Sequence, residues 1–243
     1  MHHPALKKIL MLLFGVSLTL TVLGQAGKQS FELSAGAMFP LSDLSDNNLS
    51  DSSSGASATG YHLQVSYDYL LSDHFGLGID VEFNDARYSM NKVHKYYDGI
   101  LDDARKEITS TNGWTIGGIY MRYFIRFPLG NSVSLDVSPL IGGMGIYSPA
   151  YSITRTSLIP PGPNPSYTYT RQRSKTFSFA YGINTKVNIK VNHHGLFIEG
   201  RVLRSKVNFK QVTGTGFDGR KYDQSIKMDI LYITASVGYA YYF

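Results

Sequence analysis

The stretch Leu231 to Phe243, LYITASVGYAYYF, alternates without interruption. Every second residue back from the end gives Phe243, Tyr241, Tyr239, Val237, Ala235, Ile233 and Leu231, all apolar or aromatic; between them lie Tyr242, Ala240, Gly238, Ser236, Thr234 and Tyr232. Successive side chains of an extended chain point to opposite faces, so a period of two specifies a strand. One face is greasy along its whole length, an arrangement suited to contact with lipid.

The same period recurs along the chain. Phe31, Leu33, Ala35, Ala37 and Phe39 alternate with Glu32, Ser34, Gly36 and Met38, and Tyr61 to Tyr69 alternates with His62, Gln64, Ser66 and Asp68. Phe75 to Phe83, Ile119 to Phe127, Val133 to Val137, Phe177 to Ile189 and Leu196 to Val202 follow the same rule. With the C-terminal stretch these predict an all-β fold, an eight-stranded antiparallel up-and-down transmembrane β-barrel. The mean hydropathy of −0.13 is no objection, because lumen residues dilute the lipid-facing ones and no long apolar peak results.

Connections sort by parity. Ser72-Asp73-His74, Pro128-Leu129-Gly130-Asn131 and Asn192-His193-His194-Gly195 are tight turns of the expected residue types. Segments 41–59, 91–111, 151–174 and 211–222 are long and polar, as external loops of such barrels are. A soluble sandwich has no reason to sort its loops this way. A soluble lipocalin-like barrel would carry the opposite polarity, greasy inside and polar outside.

Lys7 and Lys8 precede the apolar run Ile9 to Leu23, and small residues follow at Gly24 and Ala26. That order predicts a signal peptide over 1–26 and an outer-membrane β-barrel domain over 27–243. The apolar run is short for a helical span, which needs about 20 residues. With 0 Cys the chain has no disulfide, thiol nucleophile or thiolate ligand. Removing Lys7 and Lys8 from the 23 basic residues leaves 21 against 18 acidic. No basic helix or stacking motif points to nucleic acid, and no cofactor or metal motif is present.

The polar faces define a lumen holding Glu32, Asp68, Asp80, Glu82, Asp136 and Glu199 with Arg122, Arg126, Lys186, Lys190 and Arg201. Opposite charges in a low-dielectric interior must pair or carry a desolvation cost. Asp80 and Glu82 are expected to face Arg122 and Arg126 across adjacent strands. Eight strands enclose a space that side chains fill, so this set reads as a packed polar core, with a narrow ion or solute pore as the alternative.

The loops are where specific activity belongs. The first, Leu41 to Thr59, reads as a mobile Ser- and Asp-rich segment containing Asp43, Asp46 and Asp51. In the second, Tyr97, Ile100, Leu101, Ala104 and Ile108 have the spacing of a short amphipathic helix. The third joins the Pro-rich run 160–165 to Arg171, Arg173 and Lys175, placed for contact with anionic lipid headgroups or lipopolysaccharide. His62, His74, His94, His193 and His194 lack a nucleophile motif or a third metal ligand. The chain is therefore expected not to be an enzyme; a lipid-modifying enzyme would depend on His94.

These features resemble the OmpA/OmpX-like superfamily of small outer-membrane barrels and, more loosely, the porin-family and PorT-like barrel proteins of Bacteroidetes. The resemblance covers the mature chain and is architectural. It implies a Gram-negative outer-membrane location and an aromatic C-terminal signal, matched by Tyr239, Tyr241 and Phe243, for the barrel-assembly machinery. It also implies a structural or surface-interaction role through four external loops. It does not identify the surface ligand.

Overall fold

The computed structural model describes residues 28–48, 51–89, 91, 93, 104–110, 112–157 and 166–243. The expected signal peptide, 1–26, lies outside the described residues. Strands are β1 Gln29–Leu41, β2 Ser57–Leu70, β3 Phe75–Tyr88, β4 Ala104–Ser110, β5 Trp114–Pro128 and β6 Val133–Tyr147. They continue with β7 Tyr151–Ser157, β8 Ser166–Arg171, β9 Lys175–Val191, β10 His194–Thr215 and β11 Lys221–Tyr242; a single-turn helix, α1, covers Ser42–Ser45.

Of the 11 strands in the sheet, β4, β7 and β8 stand outside the ring and the other eight close it, in the order β1-β2-β3-β5-β6-β9-β10-β11. All ring pairings are antiparallel. Closure is made by β1 and β11, in register from Ser30↔Tyr242 to Leu41↔Leu231. The fold expected from the alternation is the fold observed.

Each ring strand puts apolar side chains outside. Leu33, Leu63, Val81, Ile119, Ile141, Ile183, Ile198 and Val237, one from each, are all exposed. Their neighbours in sequence turn inward, most of them buried. Wall and filling interlock where the wall lacks a side chain: a Cβ at Gly76 would lie 2.2 Å from Cζ of Phe124. At the third tight turn only Asn192 and His193 separate the strands, and Asn192 takes φ of 55°, a region Asn tolerates.

The opposite end departs from the sequence reading in four ways, one being that 151–174, expected as a long loop, contains strands β7 and β8. The segment 211–222 is no long loop, because β10 and β11 remain paired up to Thr215↔Lys221. The second connection does not continue as a helix through Ala104 and Ile108: Ala104–Ser110 is strand β4, paired with β7 as Ile108↔Ile153. Tyr97, Ile100 and Leu101 lie outside the described residues. Cross-strand hydrogen bonding to β7 satisfies that backbone, which helical spacing alone could not foresee. The first loop is folded over the barrel mouth. Leu44 of α1 is fully buried, and Asp43 accepts a hydrogen bond from the Asp229 amide at 2.7 Å.

Candidate functional site

The lumen is built in layers, starting at the tight-turn end. Tyr242 and Phe197 are buried there, and Lys190 Nζ lies 4.3 Å from the Tyr242 ring centre. Arg126 and Asp136, directly opposed in the β5/β6 register, form a two-point fork at 2.8 and 2.7 Å. Asn188 donates to the same carboxylate at 2.9 Å. The expected pairing of Arg126 with Asp80 or Glu82 does not occur. Phe75, the first residue of β3, already pairs with Ile125, so Arg126 lies below the end of β3 and reaches β6 instead.

The middle layer is an ionic cluster. Arg122 donates from Nε to Asp80 at 3.0 Å and from Nη2 to Asp68 at 2.5 Å and Glu32 at 3.5 Å. Lys186 Nζ bonds both Glu32 oxygens at 2.7 and 2.8 Å and Asp68 at 3.0 Å. Arg201 reaches Asp80 and Glu199, each at 2.9 Å, and Glu82 at 3.4 Å. These eight side chains are all buried, and six strands contribute them. Five carboxylates meet three cations. Glu82 also accepts the hydroxyls of Tyr120 and Tyr232 and the amide of Asn84. Charge-assisted bonds of this kind offset the desolvation of the ions only because nearly every oxygen is occupied.

Above the ions the filling becomes apolar, a layer that the sequence reading lacked. Met38, Leu44, Trp114, Ile116, Met144, Leu203, Val207, Phe209, Ile226, Met228 and Ile230 belong to one buried cluster. Trp114 meets Phe209 edge-on at 6.2 Å and donates its indole N–H to the Gly55 carbonyl at 2.8 Å. Its signal was present in the sequence as Val207 and Phe209 between Lys206, Asn208 and Lys210. There the alternation continues with its polarity reversed.

The loop cations separate. Arg171 is buried, 6.0 Å from the Tyr151 ring. Arg173 lies 4.9 Å over Tyr147 and donates to Thr115 at 3.0 Å, whereas Lys175 is exposed. Of the histidines, His62 is buried between Asn84 at 2.7 Å and Gln64 at 3.2 Å. His74, His193 and His194 lie at tight turns and exposed, with His194 bonded to the Tyr239 hydroxyl. His94 lies outside the described residues. Among the described residues no three His, Cys, Asp or Glu side chains stand together as a metal site. Tyr239, Tyr241 and Phe243 share the tight-turn rim, Tyr241 and Phe243 with ring centres 6.0 Å apart.

A closed antiparallel barrel of eight strands, apolar outside and ionic within, is the architecture of the small outer-membrane β-barrels. Among solved structures, the chain is similar to Neisserial surface protein A, with 11% identity and a TM-score of 0.47 over 90% of this chain and 100% of the other. It is similar as well to a major outer membrane protein from Thermus thermophilus, with 13% identity and a TM-score of 0.44 over 88% and 99% of the two chains. A third is Ail, the attachment invasion locus protein of Yersinia pestis, with 10% identity and a TM-score of 0.40 over 89% and 100%. No protein-family model and no curated protein matches the chain.

Proposed function

We propose that the chain is exported by its N-terminal signal, inserted in the outer membrane and held there as a filled barrel whose work is done by its outer face. The observation that carries this reading is the burial of the charged side chains in the lumen. Arg122, Lys186 and Arg201 are each at most 2% exposed, and the apolar layer and the α1 segment lie above them. A water-filled path needs open space beside the charges that line it, and here each of the three cations is buried against carboxylates that bond it. In this reading Tyr239, Tyr241 and Phe243 address the chain to the barrel-assembly machinery, and the ionic cluster fixes the shape from which the outer connections project.

Planar-bilayer recording on purified, folded protein tests the reading. A filled barrel gives no reproducible single-channel steps. Steps that disappear when Arg122 and Arg126 are replaced by Met would establish the narrow pore instead.

A further inference from the structure

The ladder between β9 and β10 runs from His194↔Val191 to Arg204↔Tyr181 and stops. Both strands continue: β9 stays paired with β6 up to Tyr147↔Lys175, and β10 stays paired with β11 to its end. Above the break, hydroxyl groups bridge the strands in place of amides. Ser205 Oγ donates to the Phe179 carbonyl at 2.8 Å and Ser178 Oγ to the Lys206 carbonyl at 2.7 Å. Thr176 Oγ1 donates to the Asn208 carbonyl at 2.9 Å and Ser174 Oγ to that of Gln211 at 2.6 Å. A groove of about 610 Å³ lies along this seam, with Lys175, Lys206 and Lys210 among its lining residues.

Polarity changes across the seam. On β10 the outward residues pass from Leu196, Ile198 and Val202 to Arg204, Lys206 and Asn208, while β9 continues outward with Tyr181, Phe179 and Phe177. Phe177 and Phe179 are 75% and 62% exposed, so large apolar rings stand beside lysines. Lys206 faces Asp229 on β11, but that carboxylate is occupied by a two-point fork from Arg204 at 2.9 and 2.8 Å. Arg173 turns its guanidinium onto Tyr147. Lys206 shares the field of Asp229 with Arg204, and among the described residues Lys175 and Lys210 have no ion pair, so the groove keeps positive charge beside a greasy surface.

We infer that this seam binds a phosphorylated lipid of the surrounding leaflet, its phosphate among Lys175, Lys206 and Lys210 and an acyl chain over Phe177 and Phe179. The inference rests on the membrane-barrel reading above. A phosphate monoester suits three lysines because it carries up to two charges and three acceptor oxygens. The acyl chain covers rings that would otherwise face bulk solvent at the edge of the apolar belt. Both halves of an amphiphile are thus matched at one place.

Native mass spectrometry of the full chain in detergent, titrated with dioleoyl phosphatidic acid, tests the site. The expected result is one tightly retained lipid, weakened about tenfold or more by the triple change Lys175→Gln, Lys206→Gln, Lys210→Gln. Changing Arg220 and Lys221 at the hairpin tip to Gln leaves retention unaltered, and neither dioleoyl phosphatidylcholine nor excess inorganic phosphate displaces the lipid. Equal retention by the triple variant, or full displacement by inorganic phosphate, overturns the lipid site. Gel mobility before and after boiling is recorded for every variant. A chain with no heat-dependent shift, monomeric without detergent, overturns the membrane-barrel reading itself, whereas normal shifts with unaltered lipid retention overturn the seam alone.

Discussion

Arg122 shows what a single residue does in this lumen. Its guanidinium ties together carboxylates from β1, β2 and β3, and it is 2% exposed. Replacing it by Met leaves Asp68 and Asp80 with a missing partner where water cannot fully substitute. Breaking a buried pair from one side costs about 3–5 kcal/mol, so denaturant unfolding of Arg122→Met in lipid should show a loss of that order. Adding Asp80→Asn should recover part of it, because one uncompensated charge is removed with the cation. A loss under about 1 kcal/mol, as for solvated pairs, would mean that water enters the cluster. The sequence made these charges legible as inward-facing. It revealed the pairing of Arg122 with Asp80, made at 3.0 Å, but not the bonds of Arg122 to Asp68 and Glu32 or the reach of Lys186 across the lumen to β1 and β2.

At the scale of the element, β10 and β11 each change polarity partway. Glu199 and Arg201 point inward on β10, and after Leu203 the inward residues include Val207 and Phe209; on β11 the inward set changes from Thr234 and Tyr232 to Ile230, Met228 and Ile226. Below the change the strand is built for lipid outside, above it for water outside. A template that expects apolar side chains outward throughout stops at the reversal, which is why a membrane part of each of the eight strands was legible, that of β6 only as far as Val137, and the extended hairpin was not. Strands β4, β7 and β8 escaped for another reason: they are short and polar, and β4 and β8 also draw partners distant in sequence. The apolar layer predicts a local effect. Phe209→Ala opens a cavity and should cost about 3–5 kcal/mol, seen as faster tryptic cleavage at Lys206 and Lys210, while the heat-dependent gel shift of the barrel persists. Loss of that shift would show that the outer layer and the membrane part fold as one indivisible unit.

The whole molecule has a direction, set by the three tight turns at one end and the folded connections at the other. If lipid covers the apolar belt, the hairpin tip at Asp218 and the turn at Asp73 lie on opposite sides of the membrane. The absence of cysteine makes this testable, since 0 Cys means that one introduced thiol gives an unambiguous signal. Asp218, with its side chain 59% exposed, and Asp73, also exposed, can each be changed to Cys on the full-length chain. A membrane-impermeant maleimide should label Asp218→Cys on intact cells and label Asp73→Cys only after the outer membrane is opened. The opposite pattern would invert the barrel. Labelling of both on intact cells would require either a soluble location or a lumen wide enough to pass the reagent, and the bilayer recording separates those two outcomes because only the second conducts.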